Sequence, residues 1–124
     1  MKRSWQLSVL LFICLACSKP LPGLVNFDAK VWKDDPKGCK GLRRAFYESL
    51  EAQRESLKGL SERDLMELLG KPDQKDLSEH HKKIYIYIIE PGPECNPGDS
   101  TSTILEVRFN ATGVSKEVSF PIIG

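Results

Sequence analysis

The sequence predicts an α+β fold, because helical and β-type patterns occupy separate halves of the chain. Between residues 41 and 69, apolar side chains recur at the spacings of three and four that mark one face of a helix. Three runs rich in β-branched and aromatic residues follow, beginning at Ile84, Thr103 and Val114. The length of 124 residues is enough for one such domain.

The best-defined element is a short helix that begins after Ser61. The Ser61 hydroxyl can cap this helix by accepting a hydrogen bond from a backbone N–H two or three residues on, and Asp64 completes an approximate capping box. Three leucines then fall at i, i+3 and i+4, on one face. Gly70 and Pro72 end the helix. These signals predict a two-turn helix with one buried face.

Residues 41–58 are predicted to form a longer helix. Their apolar side chains follow the same spacing of three and four, and charged residues occupy the other face. Arg43 and Arg44 are assigned to that charged face. Glutamates are interleaved with these arginines, which disfavours a nucleic-acid-binding role for them.

Two polar segments are predicted to be loops. Residues 34–38 place Asp before Pro and then Gly, which indicates a solvated turn; a calcium site is the alternative, although the repeated oxygen ligands of a calcium loop are missing. Residues 71–83 are polar and lead into the first strand. They include His80 and His81, which are predicted to be surface residues, because neighbours on an extended chain point to opposite faces and chelate poorly.

The strongest predicted strand covers residues 84–90, where β-branched and aromatic residues dominate. Isoleucines occupy one face of this strand, and Tyr85 and Tyr87 occupy the other. Because both faces are apolar, the strand is placed at the centre of the sheet, with the isoleucine face on the helices and the tyrosine face partly covered. Residues 103–110 and 114–120 are predicted to pair as a hairpin.

Residues 1–16 have the pattern of a signal peptide rather than of a folded domain. Lys2 and Arg3 precede an apolar stretch at residues 7–16 that is too short to span a bilayer comfortably. The sequence Cys-Leu-Ala-Cys that ends at Cys17 resembles the lipobox of bacterial lipoproteins. Ordinary secretion after cleavage at the same point and retention as a membrane anchor are the alternatives.

The lipobox resemblance implies that the chain is cleaved before Cys17 and acylated on that thiol. Several acyl chains hold a protein firmly to a bilayer, since each buried CH2 contributes about 0.8 kcal/mol. Ser18 after the cysteine implies sorting to the outer membrane. The resulting division is a signal peptide at 1–16, a lipid-anchored tether at 17–26 and a single α+β domain at 27–124.

Once Cys14 has left with the signal peptide and Cys17 is acylated, Cys39 and Cys95 remain as a pair. In an oxidising compartment this pair is expected to form a disulfide that closes a loop of roughly 56 residues. Half of a metal site is the alternative, although no ligands stand beside either cysteine in the sequence. No metal and no cofactor are expected.

Processing also changes the net charge. Removing Lys2 and Arg3 from the 18 basic residues leaves 16 against 17 acidic residues, a net charge near −1. There is no basic excess to neutralise phosphates, so no nucleic-acid partner is expected.

The turn after the short helix carries a family resemblance. The sequence Leu-Gly-Lys-Pro-Asp at residues 69–73, followed by Tyr-Ile-Tyr at 85–87, resembles the SmpA/OmlA, or BamE-like, lipoprotein domains. Over residues 59–120 the resemblance implies two helices packed on one face of a three-stranded antiparallel sheet, similar to one repeat of the β-lactamase inhibitor protein fold. The chain is also similar to small lipoproteins of Bacteroidetes-type bacteria. A role in β-barrel assembly follows only by analogy.

These observations predict a non-catalytic, lipid-anchored interaction or scaffolding module on the periplasmic side of the outer membrane, with an unidentified envelope protein as partner. Tyr85 and Tyr87 are the candidate partner-binding residues if they are exposed; burial of both is the competing prediction. The loop at residues 91–102 is the other candidate surface. An inhibitor of an envelope hydrolase is the alternative function. An enzyme is expected only if His80 and His81 share a concave pocket with carboxylates.

Overall fold

The computed structural model of this protein describes residues 20–124. The predicted signal peptide and the expected acylation site at Cys17 lie outside the described residues. The described chain has an α+β fold, as predicted. Its helices are α1 (Ala29–Lys33), α2 (Tyr47–Ala52) and α3 (Glu62–Leu69), and its strands are β1 (Gln74–Leu77), β2 (Lys83–Glu90), β3 (Ser102–Phe109), β4 (Ser115–Ser119) and β5 (Ile122–Ile123).

The strands form one antiparallel sheet in the order β1-β2-β3-β4, with β5 also paired to β3. The central pair is β2 and β3, which runs from Ile84 opposite Arg108 to Glu90 opposite Thr103. β4 and β5 follow one another along the other edge of β3. β1 pairs with β2 and forms the opposite edge of the sheet.

The sheet has two strands more than the three predicted. β1 lies in the segment that its polarity predicts to be a loop, and all four of its residues are exposed. A polar strand can pair at a sheet edge without burying side chains, so it has no apolar periodicity that would identify it. β5 consists of Ile122 and Ile123 alone, which is too short to show a period of two.

Helix α3 confirms the predicted short helix. The Ser61 hydroxyl accepts a hydrogen bond from the Asp64 N–H at 3.1 Å. All three leucines of its apolar face are buried. Gly70 follows the last turn with a φ of 81°, a left-handed conformation that a glycine adopts without a Cβ penalty.

The prediction of one long helix at residues 41–58 is wrong. The chain forms a 3₁₀ turn at Arg43–Phe46, then α2, then a second 3₁₀ turn at Arg54–Leu57. Gln53 separates the last two with a φ of −108°, and its side-chain amide bonds to both the N–H and the carbonyl of Val25. Because Val25 belongs to the segment predicted as a tether, part of that segment lies against the domain. Tertiary contacts therefore interrupt a locally helical pattern.

The main core lies between the helices and one face of the sheet. Tyr85, Tyr87 and Ile89 of β2 pack there with Trp32 of α1 and the leucines of α3. A second, smaller cluster occupies the other face of the sheet; its buried members are Ile84, Ile86 and Ile104. Since alternate residues of a strand point to opposite faces, the tyrosine face of β2 packs on the helices. This corrects the predicted orientation, which placed the isoleucine face there.

Candidate functional site

Three charged side chains with little exposure, Asp35, Arg43 and Asp73, form a group that we name the Arg43 cluster. Arg43 Nη1 lies 2.7 Å from Asp73 Oδ2, and the two side chains are 2% and 4% exposed. Nη1 also donates to the Ile88 carbonyl, and Nε donates to the Trp32 carbonyl, both at 3.0 Å. The prediction that Arg43 lies on a charged outer face is therefore wrong. Its side chain is buried and joins α1, β2 and the turn after α3.

Asp35 holds the loop that leads into this arginine. Its carboxylate accepts hydrogen bonds from the backbone N–H groups of Lys40, Leu42 and Arg43 at 2.7 to 3.1 Å. Asp35 is fully buried, so the prediction of a solvated turn at residues 34–38 is wrong at this position. A buried carboxylate needs partners, and the following loop supplies three of them.

Asp73 connects the helical half of the chain to the sheet. Besides Arg43, its carboxylate accepts the backbone N–H groups of Lys37 at 2.9 Å and Ile88 at 2.7 Å. Asp73 is the last residue of the Leu-Gly-Lys-Pro-Asp turn. That turn therefore contributes a buried charge in addition to ending α3.

None of the predictions from sequence includes this cluster, although one spacing indicates it. Arg43 lies three and seven residues before Phe46 and Leu50, which is the register of the apolar stripe. An arginine in that register is buried only when its charge is paired. Its partner Asp73 lies 30 residues away, so the pairing could not be identified from local pattern.

The predicted disulfide between Cys39 and Cys95 is present, with 5.4 Å between the two Cα atoms. It joins the loop between Asp35 and Arg43 to the connection between β2 and β3. Beside it, Lys37 Nζ and Glu94 Oε1 form an ion pair at 2.5 Å. The hydrogen bond to Glu94 raises the pKa of the Lys37 ammonium. The connection is thus held to the helical half by a covalent bond and by a charge pair.

Tyr85 and Tyr87 are fully buried, so neither is exposed as a partner anchor, and the competing prediction of burial is confirmed. The Tyr85 hydroxyl donates to Glu62 Oε1 at 2.5 Å, and the Tyr87 hydroxyl donates to the Gly70 carbonyl at 2.8 Å. These acceptors lie at the two ends of α3, so the tyrosines hold that helix on β2. Burial, with the Glu62 contact, raises the pKa of Tyr85 to about 12. Burial also raises the pKa of Tyr87.

A cavity of about 400 Å³ lies where the β1–β2 and β3–β4 turns meet the start of α3, and its lining includes His80, His81, Lys83 and Glu62. Two histidines and one carboxylate therefore line the same cavity, which is the arrangement that an enzyme would need. Both histidines are exposed, as predicted. Glu62 is engaged by the Tyr85 hydroxyl and by Lys83 Nζ at 3.1 Å, and these bonds lower its pKa. A carboxylate held as an anion is a weak general acid or base at neutral pH.

The outer edge of β1 forms a second candidate surface. Within residues 20–124, no strand pairs with β1 on the side away from β2. Leu77 is 60% exposed and, with Lys75, Asp76, Lys83 and Tyr85, lines a mostly apolar cavity of about 380 Å³. The Lys75 ammonium lies 5.3 Å from the centre of the Tyr85 ring. It therefore covers this ring on the side of the cavity.

Comparisons of the chain with protein-family models, with curated proteins and with solved structures give no match. The family resemblance at residues 69–73 and 85–87 therefore stays a prediction. In the range 20–124, no helix is long and apolar enough to cross a bilayer. In the same range, no three side chains of His, Cys, Asp or Glu are grouped so that they could hold a metal ion.

Proposed function

We propose that this protein is a non-catalytic, lipid-anchored interaction module of the BamE-like class on the periplasmic face of the outer membrane. It binds an extended segment of an envelope protein along β1. The observation that carries this proposal is the free edge of β1, whose four residues are all exposed. An unpaired strand edge presents N–H and C=O groups to another chain. Strand addition draws affinity from these main-chain groups and specificity from adjacent pockets.

The cavity beside β1 supplies such a pocket. Leu77 forms an exposed apolar wall, and the Tyr85 ring lies beneath Lys75. A strand laid along β1 places every second side chain on the same side. One apolar side chain at this point removes water from Leu77 and from the aliphatic stem of Lys75. Rotation of Lys75 also uncovers Tyr85, which would then take part in binding without being exposed in the free protein.

The charges around this cavity define the partner further. Lys75 and Lys83 line it together with a single carboxylate, Asp76. Lys83 is also paired with Glu62 at 3.1 Å, so Lys75 is the cation best placed to meet a ligand charge. A partner strand with an apolar residue two positions from an acidic residue fits both features, because residues i and i+2 lie on one face of a strand.

The proposal is tested by site-specific photocrosslinking in intact cells that make the full precursor. A photoreactive residue replaces Leu77; in the matched control it replaces Ile122, which is 70% exposed at the far edge of the sheet. We expect an adduct with one envelope protein from position 77 and no such adduct from position 122. Equal adducts from both positions, or none from position 77, would contradict strand addition at β1. An adduct with a second copy of this chain would show that β1 binds another copy of the protein and not an envelope protein.

The lipid anchor needs its own test, because Cys17 lies outside the described residues. We expect radiolabelled palmitate to be incorporated into the unaltered chain and into the Cys14→Leu variant, but not into Cys17→Ala. Label that survives Cys17→Ala would remove the anchor from the proposal. The role of β1 would then still be decided by the photocrosslinking result.

One observation favours the alternative of a hydrolase inhibitor. Residues 91–101 are mostly exposed and are fixed by the Cys39–Cys95 disulfide and the Lys37–Glu94 ion pair. A preorganised loop loses little conformational entropy on entering a concave active site. This alternative predicts that the acyl-free domain lowers the turnover of an envelope hydrolase, and that reduction of the disulfide relieves the inhibition.

A further inference from the structure

The proposed function leaves unused a cavity of about 370 Å³ beside the Arg43 cluster. It is lined by the whole Leu-Gly-Lys-Pro-Asp turn at residues 69–73, together with Lys33, Pro36 and Arg43. We name it the turn cavity. It shares no lining residue with the cavity beside β1. The stretch that carries the family resemblance therefore forms one wall of a concave site.

Arg43 brings a partly unused guanidinium to the turn cavity. Its side chain is 2% exposed, and its Nε and Nη1 atoms donate to Trp32, Ile88 and Asp73. Among the described residues, no hydrogen bond uses Nη2. Within residues 20–124, every buried side-chain nitrogen that is shut off from solvent has a hydrogen-bond partner. Nη2 is therefore not shut off from solvent, and Arg43 lines the turn cavity.

The charges around the turn cavity favour an anion. Lys33, Arg43 and Lys71 line it, and Asp73 is the single carboxylate among its lining residues. Asp73 is already engaged by Arg43 and by two backbone N–H groups. Lys33 Nζ donates one hydrogen bond to the Glu67 carbonyl at 2.6 Å. That bond positions the ammonium group and leaves two of its three donors for a ligand.

We infer that the turn cavity binds a carboxylate carried on a small apolar body. Arg43 lines the cavity with Nη2 as its unused donor, and Lys33 and Lys71, which are both exposed, line it as well. A guanidinium pairs most favourably with carboxylate or phosphate oxygens, since its planar N–H groups match their geometry. The buried position of Arg43 strengthens this pairing, because the local dielectric constant is lower than in water.

The walls and the volume of the turn cavity select the body of the ligand. Pro36, Leu69 and Pro72 line it with apolar surface, which suits a hydrocarbon group better than a hydrated inorganic ion. Its volume of about 370 Å³ is near the lower limit for ligand sites, so the ligand is the size of one amino-acid residue. Free short-chain acids and the C-terminal residue of a peptide both have this chemistry.

The inference is tested by NMR titration of the isotope-labelled mature chain with butyrate, butyramide and inorganic phosphate. We expect butyrate to shift the Arg43 guanidinium signals and the backbone amides of residues 70–73 with saturation. Butyramide has the same shape without the charge and should leave them unchanged. A short peptide with a free C-terminal carboxylate is then compared with its amidated form. Tighter binding of the free peptide than of butyrate would assign the ligand to peptide termini, and weaker binding would assign it to free acids.

Substitutions at two exposed lysines show whether the binding is local. Lys71→Gln should weaken butyrate binding about two- to fivefold, which is the effect of removing one partly exposed charge. Lys40→Gln, at an exposed lysine outside the cavity, should leave the affinity unchanged. Equal losses in both variants would indicate general charge attraction and would overturn the inference. Tighter binding of phosphate than of butyrate, or shifts of the same signals by butyramide, would also overturn it.

Discussion

Two neighbouring regions of the helical half differ in how far their local sequence determines their structure. Helix α3 has the start and the end that its cap and stop residues predict. Residues 41–58 also carry a helical pattern, yet they form short helical pieces, and Arg43 among them is buried. The difference lies in where the polar groups of each region find their partners.

In α3 the partners are close in sequence. Ser61 caps the first turn from within the same segment, and the stop at Gly70 follows directly. In residues 41–58, by contrast, the buried Arg43 pairs with Asp73, which lies 30 residues away. Periodicity therefore predicts a helix correctly when the groups at its ends have hydrogen-bond partners nearby in sequence. A buried charge outweighs the preference of the local chain for a helix, because leaving that charge unpaired costs several kcal/mol.

Breaking the distant pairing should have the largest effect. Arg43→Met leaves Asp73 buried without its cation, and we expect a loss of about 3 to 5 kcal/mol in the free energy of unfolding. Urea denaturation of the purified protein measures this loss. The double variant Arg43→Met/Asp73→Leu should lose less than the sum of the two single variants, since the two side chains interact directly.

The adjacent arginine provides the control for this prediction. Arg44 is 63% exposed, and its Nε lies 3.8 Å from Glu90 Oε2. Arg44→Met should change the stability by no more than about 0.5 kcal/mol. Similar losses at both arginines would mean that helix charge, rather than the buried pairing, holds this region together.

Breaking a local partner should have a smaller effect. Ser61→Ala removes the N-cap of α3, and we expect a loss of about 1 kcal/mol in the free energy of unfolding. Ser56→Ala, at an exposed serine of the second 3₁₀ turn, should be close to neutral. A loss at Ser61 as large as that at Arg43 would contradict the contrast between local and distant partners.

The contact between α3 and β2 should produce a pH dependence. The hydrogen bond from Tyr85 lowers the pKa of Glu62 below its ordinary value of 4.5. The stability that the Glu62 carboxylate contributes is therefore complete above pH 4.5 and is lost as the pH falls through the lowered pKa. The pKa of Tyr85 is raised from 10 to about 12. The stability that the Tyr85 hydroxyl contributes is therefore complete below pH 10 and is lost as the pH rises from 10 through about 12.

Tyr85→Phe should therefore reduce the slope of stability against pH on both the acid and the alkaline side. Urea denaturation at a series of pH values measures both slopes. Tyr47→Phe is the control, because the Tyr47 hydroxyl contacts Glu51 rather than Glu62. It should leave the acid slope unchanged, and an acid slope that is also unchanged in Tyr85→Phe would remove the proposed role of the Glu62 contact.

The sheet shows what the sequence can and cannot predict. Alternation identifies β3 and β4 because one face of each is polar, and the β-branched run identifies β2. The orientation of β2 is not predictable from its own residues, since both faces are apolar. It is decided by the hydroxyls of Tyr85 and Tyr87, which meet Glu62 and Gly70 at the two ends of α3. β1 is not predictable either, because its pairing with β2 needs no apolar face.

The candidate sites divide in the same way. The disulfide follows from counting the cysteines, and the turn at residues 69–73 is recognisable from its glycine and proline. The turn cavity is not, because Lys33, Pro36 and Arg43 reach it only after α1, the following loop and α3 have packed together. The free edge of β1 is likewise a property of the strand order and not of the strand itself.

The sequence is enough to predict the α+β class, the cap and the stop of α3, the three longer strands and the pairing of Cys39 with Cys95. These features depend on neighbours within a few residues or on a single pair of cysteines. The broken helix at residues 41–58, the burial of Arg43 and the side of β2 that faces the helices are set by the packing of distant segments. Each of these depends on a polar group whose partner is distant in sequence, and the cost of burying such a group unpaired exceeds the preference of the local chain.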